Sequence, residues 1–235
     1  MTRLPAVVGL LGMALGALAV GLRGRGRAGW LPLVALALPL SSGTWYLAAA
    51  LDQAVLVRPA GPVYWGRYAD GVVTLPLLVV GLGLAAGADR RALVAGAGLA
   101  AWTMATTLAA TLSTGVATVA WLVPSVGGFV ALVWVVFGPL VRGAGERAGG
   151  PESGPAGDRR PGPTPPASTP ALAPRRSVRR LRAYVVGLWL LYPVLWALGP
   201  AGFALAPDLP LAWPGVALDL LLKPGTGLLL LRWTA

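Results

Sequence analysis

Seven apolar runs, each close to the roughly twenty residues that a helix needs to cross a bilayer's hydrocarbon core, take up most of this chain. They lie at roughly 4–22, 29–51, 62–87, 91–112, 116–141, 178–199 and 211–232. Backbone exposed to lipid must satisfy its own hydrogen bonds, and runs this long and continuous suit helices rather than the short alternating strands of a barrel. With 56% hydrophobic and only 11% charged residues in 235, an ordinary soluble domain is excluded. The expected fold is an all-α membrane protein, a seven-helix bundle. The first run is read as a retained span, because Arg23, Arg25 and Arg27 stand where a cleavable leader would carry small residues.

The net charge of +11 does not indicate nucleic acid, since the arginines fall in alternate loops rather than on one soluble face. With the N-terminus outside, the inner side would hold Arg23, Arg25 and Arg27, Arg90 and Arg91, the arginines from Arg142 to Arg182, and Arg232. Arg3 and Arg58 would remain outside, in keeping with the positive-inside rule, and the C-terminus would be cytoplasmic. Three segments follow: five spans in 1–142, a Pro, Gly and Arg-rich loop at 143–177, and two spans in 178–235. That loop holds eight prolines and almost nothing large enough to bury, so it reads as disordered. The chain has no cysteine and no histidine, which removes disulfides, thiol catalysis and the commonest zinc and copper ligands.

Charge inside the spans is scarce. Lys223, the only lysine, stands near the middle of the last run, four residues after Asp219. A charged amine at such a depth costs about 2.5 to 3.5 kcal/mol on insertion scales. The i, i+4 spacing puts the carboxylate on the same helix face, and pairing makes both tolerable. A structural ion pair would explain that much; a desolvated lysine can also condense with an aldehyde or ketone to an imine, which arginine cannot do. In the third run Arg67, Asp70 and Thr74 form one polar stripe. Taken alone, Arg67 could snorkel outward and Thr74 could bond its own backbone. In the sixth, Trp189, Tyr192, Pro193 and Trp196 place three aromatics on one face beside a proline kink. They read equally as an interfacial belt and as a pocket wall, and with Trp121 in the fifth run they could line a flat apolar cavity.

Together these motifs resemble the microbial rhodopsins. The third run carries Arg67, Tyr68, Asp70, Thr74, Pro76 and Leu78, similar to the family's arginine, tyrosine, aspartate, threonine and proline signature. The sixth carries Trp189, Tyr192, Pro193 and Trp196, and the seventh Asp219 and Lys223 at the family's spacing. Pro39 and Tyr46 in the second run also fit. The resemblance implies a multi-pass cell-membrane protein, not an enzyme, with all-trans retinal bound as a Schiff base to Lys223. Tyr68, Leu78, Trp121, Trp189, Tyr192, Pro193 and Trp196 would enclose it. Asp70 would be counterion and proton acceptor, Thr74 its companion hydroxyl, Asp219 the second counterion bonded by Tyr46, and Arg67 a cation on the outer path. The family also implies self-association of the chain in the lipid membrane.

Departures from the family pattern are equally specific. Gly81 stands where archaeal proton pumps carry a carboxylate donor, and Ala201 and Leu211 stand where they carry the outer release pair. Gly71 replaces a tryptophan that packs on retinal, which would leave room for water or a shifted chromophore, and Leu222 and Pro224 flank the lysine unusually. The resemblance favours a light-driven outward proton pump. The alternative is a sensory photoreceptor with a slow cycle and a signalling transducer, although Leu222 and Ala217 replace the threonine and tyrosine with which archaeal sensors couple to theirs. A chloride pump is disfavoured by the carboxylate at Asp70.

Overall fold

The computed structural model describes residues 3–59, 61–138, 140, 175–206 and 208–233. Helices α1 (Leu4–Gly24), α2 (Leu31–Ala50), α3 (Gly66–Ala86), α4 (Arg90–Leu112), α5 (Val116–Phe137) and α6 (Arg175–Leu198) supply the first six spans. The seventh, Ala212–Trp233, is α7 (Ala212–Leu220), one π-helical turn (Leu221–Gly225) and α8 (Thr226–Trp233). Local chemistry sets several boundaries. Prolines sit in the first turns of α1 and α2, where a missing N–H costs nothing. Between α3 and α4, Gly87 takes the left-handed conformation that ends the first helix, and the Asp89 carboxylate caps the second by accepting from the Ala92 amide at 2.8 Å.

Two expected boundaries need correction. The third run was expected to be helical from 62, but Val55–Arg58 (β1) and Gly61–Tyr64 (β2) form an antiparallel hairpin, with Val55 opposite Tyr64 and Arg58 opposite Gly61. Gly61 takes a φ of 121°, which side-chain-bearing residues avoid, and Pro62 lacks a helix donor, so the helix starts only at Gly66. Arg58 fastens the hairpin to the end of α4 by donating to the Thr111 and Ser113 carbonyls. The expected loop at 143–177 also ends earlier, since 175–177 belong to α6; the rest of it lies outside the described residues.

Helices α1 to α5 pack each against the next, and the seventh span returns against α1 and α2. Burial shows which helices are central: 61% of the most apolar 18-residue stretch of the third and seventh spans is enclosed, against 22–33% in the others. Leucines and valines of α3, α5, α6 and α8, among them Leu78, Leu82, Leu132, Val185 and Leu230, make the main core. Small residues on α1 govern how closely α2 and the seventh span approach. Gly9, Gly12 and Gly16 lie against Tyr46, Leu220 and Pro224, and a β-carbon at any of them would collide with that neighbour. The hairpin marks one end of the bundle; Arg23, Arg25, Arg27, Arg90 and Arg91 mark the other.

Candidate functional site

The two central helices bring the scarce intramembrane charges together. Lys223 lies in the π-helical turn, followed by Pro224, whose ring nitrogen has no hydrogen to give the helix. Its Nζ is 2.5 Å from Asp70 Oδ2 across the bundle and 3.0 Å from Asp219 Oδ1 one turn earlier. All three are almost wholly enclosed, with exposures of 4%, 1% and 1%. Asp219 also accepts hydrogen bonds from Tyr46 Oη at 2.7 Å and Tyr192 Oη at 2.6 Å, and Arg67 Nη2 stands 3.1 Å from it. Two anions thus face two cations, which is the balance a buried charge cluster requires.

Arg67 is docked on three sides. Its guanidinium donates to the Gly215 carbonyl at 2.7 Å and lies over the Tyr192 ring, 5.4 Å from the centroid. The absence of a side chain at Gly215 makes room for it, because a β-carbon there would fall on the guanidinium. The arginine therefore turns into the cluster rather than snorkelling outward.

Asp70 has partners that the sequence reading missed. Ser42 Oγ donates to Oδ2 at 2.8 Å and Ser41 Oγ to Oδ1 at 3.3 Å, both from α2. Thr74, expected to be the companion hydroxyl, donates instead to the backbone carbonyl of Asp70 at 3.0 Å. The available signal was spacing: Ser42 stands four residues before Tyr46, so two polar groups share a face of α2.

A cavity of about 750 Å³ opens from Lys223. Tyr68, Leu78, Trp189, Tyr192, Pro193 and Trp196 all line it, together with Tyr46, Arg67, Asp70, Thr74 and Asp219. Trp196 is fixed by donating to Thr111 Oγ1 at 3.0 Å, whereas the buried Trp189 indole N–H has no hydrogen-bond partner among the described residues. Trp121 is a correction. It is 44% exposed and absent from the wall; α5 turns Leu122, Ser125 and Phe129 inward, and Trp121 stands about 100° of helix rotation away from Leu122. The space expected beside Gly71 is also taken, because Met104 of α4 packs where a side chain would begin. Ala201 and Leu211 do line the cavity, as apolar groups. Gly81 is walled by Leu230 and Val34.

The cavity is apolar with aromatic walls, and one enclosed amine between two carboxylates stands at its floor, so it can receive a bulky hydrophobic ligand. Residues 2–156 and 162–235 match the model of a family described as bacteriorhodopsin-like protein. The chain belongs to that family. It is 33% identical to the bacteriorhodopsin of Haloterrigena sp. (strain arg-4) over 238 residues, 96% of this chain and 85% of the relative. It is also 33% identical to cruxrhodopsin-3 of Haloarcula vallismortis over 199 residues, 80% of this chain and 70% of the relative. Among solved structures, a thermophilic rhodopsin from Rubrobacter xylanophilus superposes with a TM-score of 0.80 at 26% identity, covering 99% of this chain and 95% of that one. The cyanorhodopsin N4075R of Tolypothrix sp. NIES-4075 gives 0.79 at 27% identity, covering 98% and 94%. As a member of this bacteriorhodopsin-like family, the chain is a retinal-binding, light-driven rhodopsin that crosses its membrane several times.

Proposed function

We propose that this bacteriorhodopsin-like protein is a light-driven outward proton pump, with Lys223 as the attachment point of all-trans retinal and Asp70 as the group that receives the proton. The observation that carries this reading is the 2.5 Å contact between Lys223 Nζ and Asp70 Oδ2, enclosed at the floor of the cavity. Retinal, joined to Lys223 as an imine, would supply visible absorption and a cationic nitrogen made acidic by light. Tyr68, Leu78, Trp189, Tyr192, Pro193 and Trp196, which line the cavity, would hold and orient it, and their apolar surfaces would limit water at the nitrogen.

Asp70 and Asp219 then divide the work. Asp219 is kept as an anion by two tyrosine hydroxyls, Arg67 and its own helix neighbour Lys223. Asp70 accepts from two hydroxyls and faces one cation, Lys223, so it is the carboxylate left without a charge partner once the nitrogen gives up its proton. Arg67, docked on Gly215, stands on the hairpin side of both carboxylates and compensates their charge at rest. With the arginine-rich end inside, as the positive-inside rule directs, the hairpin end faces outward and so does the acceptor side.

A photosensor with a slow cycle is the second reading, favoured by the apolar enclosure of Gly81 where a donor carboxylate would shorten the cycle. The test is illumination of retinal-reconstituted vesicles of known orientation, following external pH with and without a protonophore. Outward acidification that the protonophore abolishes, and that both Asp70→Asn and Lys223→Ala remove, is the expected result. A visible band without sustained pH change would replace the pump by the sensor. No band at all in the wild type would overturn the attachment at Lys223.

A further inference from the structure

Hydroxyls buried in membrane helices ordinarily give their hydrogen to the carbonyl four residues earlier. Thr74, Thr103, Thr106, Thr107 and Ser113, all buried or partly buried, do so here. Ser41 and Ser42 depart from that habit by reaching from α2 to the two carboxylate oxygens of Asp70. Ser42 is completely enclosed and bonds the same oxygen, Oδ2, that Lys223 contacts.

We propose that Ser42, with Ser41 on the other oxygen, is the positioning hydroxyl of the proton acceptor, holding Asp70 at rest and turning the transferred proton away from Lys223. This rests on the reading of Asp70 as acceptor. A serine hydroxyl has one hydrogen and two lone pairs. While Asp70 is a carboxylate, Ser42 donates to Oδ2. Once a proton has moved from the nitrogen at Lys223 to Oδ2, the donor becomes the acid O–H, and Ser42 rotates to accept it. The bond between α2 and α3 survives with its direction reversed, and the proton points at Ser42 instead of back at the nitrogen. Thr74 cannot donate to the resting carboxylate while its one hydrogen is committed to the backbone.

The experiment is light-minus-dark infrared difference spectroscopy on the full retinal-loaded chain, reading the C=O stretch of protonated Asp70, identified by its loss in Asp70→Asn. The resting visible band of each variant is recorded first, so that only folded pigment is compared. Ser42→Ala is expected to move the stretch to higher frequency, as a less strongly hydrogen-bonded acid, and to speed return of the proton to the nitrogen. Ser42→Thr keeps the hydroxyl and is expected to leave the stretch in place. Thr74→Val is expected to move it less than Ser42→Ala does. A shift in Thr74→Val equal to or larger than that in Ser42→Ala, or an unmoved stretch in Ser42→Ala, overturns the proposal. Absence of any Asp70 acid band in the wild type would instead defeat the reading of Asp70 as acceptor.

Discussion

The two halves of the bundle treat charge in opposite ways. On the hairpin side of Lys223, Asp70, Asp219, Arg67, Tyr46, Tyr192, Ser41 and Ser42 form a continuous polar cluster, and the cavity runs on past Gln53 and Tyr64 toward the hairpin. On the arginine-rich side, Val79, Leu82, Leu181, Val185 and Leu230 belong to one apolar core, and Gly81 lies against Leu230 and Val34. On the proposed pumping reading, a proton leaving Lys223 toward the hairpin would meet a base within hydrogen-bond distance, and one arriving from the other side would meet packed hydrocarbon. The asymmetry follows from where polar groups stand along α2, α3, α6 and the seventh span. That contrast can be attacked from either half.

The largest effect is expected from Arg67→Gln. The substitution removes one of two cations from a buried cluster of four charges and leaves Asp219 to Lys223 and two hydroxyls. Breaking a buried pair from one side costs about 3 to 5 kcal/mol. The loss should appear as a lowered midpoint for thermal bleaching of the visible band. An unchanged midpoint would mean that Arg67 does not share the cluster's charge balance, and the polar half would have to be redrawn without it.

In the apolar half the expected change is a gain. Gly81→Asp alone would press a side chain against Leu230, so it is paired with Leu230→Ala to make room. A carboxyl acting as general acid contributes roughly 10² to 10⁴-fold, so recovery of the resting band after a flash should quicken by about 10²-fold. Recovery unchanged from the wild type would show that the sealed side does not set the pace, and would remove the observation favouring a sensor.

The sequence carried the polar half better than its support. Lys223, Asp219 and Asp70 stood out because ions in apolar runs are costly and therefore few, and helical spacing alone placed Lys223 beside Asp219. Contacts between helices leave no such periodic trace. Nothing in the order of residues says that Gly215 opens a slot for a guanidinium from α3, that Met104 covers Gly71, or that Ser42 outreaches Thr74 for the same aspartate. The hairpin was hidden for another reason: Val55–Arg58 and Gly61–Tyr64 are brief, and the second runs into the apolar stretch of α3 with only Gly61 and Pro62 to separate them.

The smallest effect tests a wall residue that turned out not to be one. Hydropathy could not tell which face of α5 looks inward, because that helix is apolar all round, and a tryptophan is equally at home against lipid and against a ligand. The structure turns Trp121 outward and Trp189 inward. Trp121→Leu should therefore leave the absorption maximum where it is and change stability by no more than about 0.5 kcal/mol, as for a surface position. Trp189→Leu should move the maximum, since it removes a wall of the cavity. If Trp121→Leu shifted the band as far as Trp189→Leu, α5 would have to be rotated by roughly one residue, or about 100°, and Leu122, Ser125 and Phe129 would lose their places around the cavity.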